Sequence, residues 1–67
     1  MSDKWTLGAI AGRLRAIVQP NQPTEAVRLA ADKEASEQGY VHAGRDEFIR
    51  GFITGYTRQR QAVRGKQ

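Results

Sequence analysis

The residue types that support acid–base or metal chemistry are sparse in this sequence and gather around one histidine. His42 has Asp46 four positions later and Glu47 next to that, and the chain holds no cysteine. A catalytic histidine must activate a nucleophile or move a substrate proton while a partner orients its ring. A metal site needs several ligands that converge. The sequence meets neither requirement, so we predict a connector histidine in a protein that is not an enzyme, with no catalytic residue, metal, cofactor or small-molecule substrate.

Two pairs of glycines have the spacing of a close helix crossing. Gly8 and Gly12 are four residues apart, and so are Gly51 and Gly55. A glycine inside a helix costs about 0.5–1 kcal/mol relative to alanine, so four of them in a small protein indicate a compensating contact. In one interpretation the two helices cross backbone against backbone within the chain. In the other, one pair leaves a shallow groove for a partner helix or a second copy of the chain.

Basic residues collect at the carboxyl end of the chain. The sequence has 11 basic and 7 acidic residues, a formal net charge of +4, and no acid after Glu47. Such an end attracts phosphate or an acidic protein surface, but its cations also offset the partial negative charge of a helix terminus. If this is instead a small basic nucleic-acid-binding protein, the contacting residues are Arg50, Arg58, Arg60, Arg64 and Lys66. Because Arg58 and Arg60 lie off the face that Arg50 shares with Arg64, sequence-specific reading is not expected.

Apolar periodicity and helix-ending residues predict the elements that must position these groups. The first and third segments repeat apolar residues at the 3.6-residue period. The second is rich in Ala, Glu, Lys and Arg, which favour helix. Pro20 and Pro23 separate the first two segments, and Gly39 ends the second. The predicted helices are about 5–18, 24–38 and 45–61, followed by a basic tail over 62–67.

These helices predict an all-α fold in a single domain over residues 1–67. The architecture is either a small three-helix bundle or a helical hairpin with a third helix. No apolar run approaches the roughly 18 residues that cross a bilayer, and residues 1–5 lack the basic and apolar regions of a signal peptide. We therefore expect a cytoplasmic protein without a membrane partner.

The first and third helices each have an apolar face, and the middle helix has too few large apolar side chains to bury both. The stripe of the first helix consists of Leu7, Ile10, Ala11, Leu14, Ile17 and Val18. That of the third helix consists of Phe48, Ile49, Phe52, Ile53 and Tyr56. The middle helix offers mainly alanine, which buries little area. Part of the Phe48, Phe52 and Tyr56 face is therefore expected to be covered by another protein or by a second copy of the chain.

Trp5 lies just outside the first stripe, two residues before Leu7. It either folds over the end of the core or anchors a partner, as exposed tryptophans often do. We predict a small helical module that binds another protein and can self-associate. The predicted interface residues are Trp5, Phe48, Gly51, Phe52, Gly55 and Tyr56.

Residues 46–56, with the sequence DEFIRGFITGY, resemble the closing helix of small accessory proteins encoded by bacteriophages. The resemblance covers 11 of the 67 residues and implies no fixed activity. Members with known roles often bind and inhibit a host protein. The resemblance therefore implies a protein-binding role, as an inhibitor or an adaptor.

Overall fold

Three helices make up almost all of the described chain in this computed structural model, which describes residues 3–65 and the side chains up to Val63. Helix α1 spans Lys4–Val18, α2 spans Thr24–Glu37 and α3 spans His42–Gly65. Residues 3–65 contain no strand, and the predicted small all-α three-helix bundle is confirmed. Within the same residues, no helix combines the length and the apolar character that crossing a bilayer requires.

Short-range hydrogen bonds determine where α1 begins and where α2 ends. The Asp3 carboxylate accepts a hydrogen bond from the Trp5 N–H at 3.1 Å and so caps α1. Gly39 has a φ of 79°, in the left-handed region that glycine adopts without strain. Its N–H donates to the Ser36 carbonyl at 3.1 Å, which ends α2 and turns the chain toward α3.

Helix α3 is longer than predicted at both ends. It begins at His42, before the predicted start at Arg45, so His42 is the first helical residue, with a φ of 55°. The Arg45 N–H donates to the Val41 carbonyl at 3.4 Å and closes the first turn. At the other end the helix runs to Gly65 through residues predicted to be tail. No proline interrupts that stretch, and adding residues to an existing helix is far easier than starting one.

The helices run up, down and up, so α1 and α3 are parallel neighbours. Gly8 faces Phe48 and Gly12 faces Phe52, and the residue numbers increase together. Helix α2 runs the opposite way. Its Asp32 pairs with Arg45 near the start of α3, while the connector that precedes α2 contacts the far half of α3.

One core lies between the three helices. Its buried residues are Ala16, Val27, Ala31, Ala35, Phe48, Phe52 and Tyr56. The expectation that a second chain covers the aromatic face of α3 is therefore wrong, because Phe52 is 0% exposed within the single chain. The alanines of α2 and the aromatic rings of α3 are buried together in this core. The ring centroids of Phe48 and Phe52 are 6.2 Å apart, within the range of favourable aromatic pairs.

Candidate protein-binding surface on helix α1

Helices α1 and α3 meet through glycine backbone rather than through large side chains. The four facing pairs are Gly8 with Phe48, Gly12 with Phe52, Gly51 with Trp5, and Gly55 with Ala9. A Cβ on any of these glycines would lie 2.7–2.9 Å from the facing carbonyl carbon and closer still to its oxygen. The glycine hydrogen in that direction therefore points at a carbonyl oxygen, a weak contact that recurs at close helix crossings.

This crossing covers most of the predicted interface. Gly51 and Gly55 are buried against α1, so α1 itself occupies the face that this glycine pair was predicted to offer to a partner helix. Phe48, Phe52 and Tyr56 are also buried, inside the core. Of the predicted interface residues only Trp5 keeps a partly exposed side chain. The remaining five hold this chain together and are not accessible to another molecule.

The glycine crossing turns the large apolar side chains of α1 away from the core. Successive helical residues are about 100° apart, so the centre of the Leu7–Ile17 stripe lies roughly 180° from the Gly8–Gly12 face. This stripe therefore faces away from the core. Gly8, Gly12 and Ala16 are the buried residues of α1. The spacing in the sequence places the first glycine pair opposite its stripe, whereas Gly51 and Gly55 flank theirs, but it does not say which face of α1 packs on α3.

The outward side chains of α1 form a continuous apolar surface, which we call the α1 stripe. Its members are Leu7, Ile10, Leu14 and Ile17. They are 39–59% exposed, and Val18 beside them is 75% exposed. Among the described residues, five of the eight exposed large apolar side chains lie on α1. The positions follow the alternating three- and four-residue spacing of a coiled-coil seam, over two heptads.

The α1 stripe is bordered by two shallow grooves with different charges. Toward α2, a groove of about 360 Å³ includes Arg15 and Glu34 beside the stripe. Toward α3, a groove of about 380 Å³ includes Arg13 and Arg58, with part of Trp5 in its lining. The border toward α2 therefore carries both signs of charge, whereas the border toward α3 carries two cations.

A wider groove of about 1060 Å³ lies between α2 and α3. Both signs of charge line it, and Arg45 forms an ion pair with Asp32 across its upper part. Both side chains of that pair are more than a third exposed, so the pair contributes little to stability. The apolar members, such as Ile49 and Ile53, are partly buried against the core. Leu29 is the one large apolar side chain in the described lining of this groove that is exposed, whereas the α1 stripe has four.

The Tyr56 hydroxyl ties the connector between α1 and α2 to the core. It donates to the Gln19 carbonyl and accepts from the Gln22 N–H, the latter at 3.0 Å. Arg60 lies over the Tyr56 ring, 6.0 Å from its centroid, and donates to the Gln22 carbonyl at 3.4 Å. Both residues therefore act in the fold, although the sequence pattern indicated a protein interface for Tyr56 and a nucleic-acid contact for Arg60.

The predicted nucleic-acid residues whose side chains are described, Arg50, Arg58 and Arg60, do not form one surface. Arg50 lines the α2–α3 groove, where Asp32 and Asp46 are also present, whereas Arg58 lines the groove between α1 and α3. Arg60 belongs to the Tyr56 contact. The backbone of Arg64 is helical, but its side chain lies outside the described residues, as does Lys66.

The α1 stripe is thus the most extended exposed apolar surface of the described chain, and its two borders differ in charge. Its geometry is the basis for assigning a function. In comparisons with models of protein families, with curated proteins and with solved structures, nothing matches this chain.

Proposed function

We propose that this chain is a non-enzymatic binding module, and that the α1 stripe is its docking face for an amphipathic helix of another protein. The exposure of the α1 stripe is the observation that carries the proposal, with Leu14 58% exposed and Ile17 59% exposed. Full burial of a Leu or Ile side chain contributes about 1.5–3 kcal/mol. Each member of the stripe, roughly half exposed, therefore has about 1 kcal/mol still to gain.

A helix is the occupant that the spacing of the α1 stripe favours. Leu7 and Leu14 occupy one seam position of successive heptads, and Ile10 and Ile17 occupy the other. A partner helix with its own apolar stripe can interleave with such a seam along about two heptads. A folded surface without this periodicity would contact only part of the stripe.

Charge favours a different protein over a second copy of this chain. Helix α1 contains Lys4, Arg13 and Arg15 but no acidic residue. In an antiparallel pair of α1 stripes, Arg13 of each copy would lie beside Arg13 of the other, and like charges at these flanking positions are unfavourable. The resemblance of residues 46–56 to phage accessory proteins supports the same role, with a host protein as the partner that is inhibited or adapted.

Site-specific photo-crosslinking in a lysate of the native host tests this proposal. A photoreactive residue at Leu14 should crosslink a protein other than this chain, and the crosslinked peptide should be an amphipathic helix. The control is Leu29, an apolar residue of α2 that is 63% exposed and lies outside the α1 stripe. It should not give that product.

Three results would overturn the proposal. They are an identical product from both positions, a product that contains only two copies of this chain, and a product that disappears after nuclease treatment. The last result would instead support the nucleic-acid alternative.

A further inference from the structure

We infer that the partner helix carries carboxylates along one edge only, and that these carboxylates pair with Arg13 and Arg58 in the groove between α1 and α3. The inference rests on the proposed docking of a helix on the α1 stripe and adds the chemistry and orientation of that helix. It follows from the difference between the two borders of the stripe.

The border toward α3 is cationic and comes from two separate elements. Arg13 follows Ile10 of the stripe by three residues on α1, and Arg58 lies on α3 just after the glycine crossing. Both are exposed, and no acidic residue lines the groove that they share. Because the crossing at Gly55 brings the two backbones into contact, the two guanidinium groups border one narrow groove.

The floor of this groove suits the stem of a carboxylate side chain. Its apolar lining includes Trp5, Ala9, Ile10 and Ala62. A glutamate on the flank of a docked helix can lay its methylene groups on such a surface while its carboxylate reaches an arginine. Arginine presents a planar set of donors that matches a carboxylate, and charge-assisted hydrogen bonds of this kind are stronger than neutral ones.

The border toward α2 does not select an acidic edge. Arg15 already donates to the Gln19 side chain at 3.2 Å. Glu34 lines the same groove and would repel a second carboxylate. A helix with carboxylates along both edges would therefore meet repulsion on one side. A helix with carboxylates on a single edge fits both borders. Its orientation on the stripe is then determined, because the acidic edge must face the border toward α3.

A pair of synthetic helical peptides of about five turns tests this inference. Both have the same Leu/Ile seam. The first carries Glu along one edge and the second carries Gln at the same positions. Fluorescence anisotropy should show that both bind the intact chain. We expect the Glu peptide to bind about three- to tenfold more tightly at low salt. That advantage should shrink as NaCl rises from about 0.05 to about 0.5 M.

Paired arginine variants locate the effect. The double variant R13Q/R58Q should bind the Glu peptide no better than the Gln peptide. The matched control is R28Q/R50Q, which changes two exposed arginines of the α2–α3 groove, one on each helix. It should keep the preference of the unchanged chain. Circular dichroism melts of both variants show that each remains folded.

The outcomes separate this inference from the proposed function. If the Gln peptide binds as tightly as the Glu peptide, the inferred pairing of carboxylates with Arg13 and Arg58 is wrong, while docking on the α1 stripe stands. That pairing is also wrong if R28Q/R50Q removes the preference as fully as R13Q/R58Q does. If neither peptide binds, or if both bind a Leu14→Ser variant unchanged, docking on the stripe itself is wrong. Tighter binding to anionic vesicles or single-stranded DNA than to the Glu peptide, lost in R13Q/R58Q, would assign the two arginines to phosphate and overturn the inference.

Discussion

At the residue scale, the surroundings of each glycine decide what a side chain there would do. Gly12 lies against the backbone of Phe52, and a Cβ would come within 2.7 Å of its carbonyl carbon. Gly44, near the start of α3, is different. A Cβ there would lie 3.6 and 3.8 Å from side-chain carbons of Lys4, which is ordinary van der Waals contact. Helix propensity alone favours alanine at both positions.

Alanine should therefore have opposite effects at these two glycines. We expect Gly12→Ala to lower the free energy of unfolding by about 1 kcal/mol or more, because overpacking against rigid backbone outweighs the gain in propensity. Gly44→Ala should raise it by up to about 1 kcal/mol. Urea unfolding followed by circular dichroism measures both values. Equal stabilisation by both changes would mean that α1 and α3 are not in backbone contact.

Removing the Tyr56 hydroxyl should release the connector between α1 and α2. In Tyr56→Phe the Gln22 N–H and the Gln19 carbonyl lose their shared partner. We expect a loss of about 1–3 kcal/mol in the free energy of unfolding, with faster amide exchange at Gln22. The control is Tyr40→Phe, since no hydrogen bond of the Tyr40 hydroxyl is found among the described residues. A Tyr56→Phe protein as stable as that control would contradict the assignment.

At the scale of elements, one face of α1 packs in the fold and the other is exposed. Its small residues pack on α3, and its large apolar residues face outward. Replacing Leu14 by Ser should cost about 1–1.5 kcal/mol, the sum of the difference in helix propensity and the loss of the burial that this half-exposed side chain already has. Replacing Phe52, which is fully buried, by Ala should cost about 3–5 kcal/mol. That loss approaches the whole stability of a domain of this size, roughly 3–5 kcal/mol.

Thermal melts of these two variants check the assignment of the faces. Leu14→Ser should still melt cooperatively, about 5–10 °C below the unchanged chain, whereas Phe52→Ala should be largely unfolded. If Leu14→Ser were as damaging as Phe52→Ala, the α1 stripe would belong to the core.

The boundaries of the three helices were predictable to different degrees, because local capping and helix-breaking residues mark some ends and not others. The predicted ranges of α1 and α2 lie within one residue of the observed helices, since Asp3, the two prolines and Gly39 act over short distances. The ends of α3 were not predictable in this way. Its first turn around His42 and its last turns carry no apolar repeat, and tertiary contacts and helix propagation decide such ends.

The α1 stripe is evident in the sequence, but its direction is not. Periodicity identifies an apolar face without saying what covers it. The choice between the glycine face and the leucine face depends on how closely α3 can approach, and glycines on both helices make the backbone contact available. Burial of Phe48, Phe52 and Tyr56 escaped prediction for a related reason. Alanine was counted by the small area that it buries, whereas Ala31 and Ala35 of α2 are 0% exposed and enclose these rings together with the other core residues.

At the scale of the whole molecule, the chain encloses its own aromatic core and leaves one apolar stripe uncovered. Alone in solution it should therefore be a monomer, because nothing in the core needs a second copy and the cations beside the stripe oppose self-pairing. Sedimentation velocity over a wide concentration range should give one species of about 7.5 kDa. A melting temperature that rises with protein concentration would contradict this expectation.

The central claim is that a partner helix docks on the α1 stripe. The affinity of the crosslinked protein for two matched variants tests it most directly. Leu14→Ser and Leu29→Ser change the same side chain at similar exposure, 58% and 63%, on different helices. We predict that Leu14→Ser weakens binding by about tenfold or more, which corresponds to roughly 1.4 kcal/mol, while Leu29→Ser leaves it unchanged. Equal affinity of the two variants, or a loss confined to Leu29→Ser, would contradict docking on the α1 stripe.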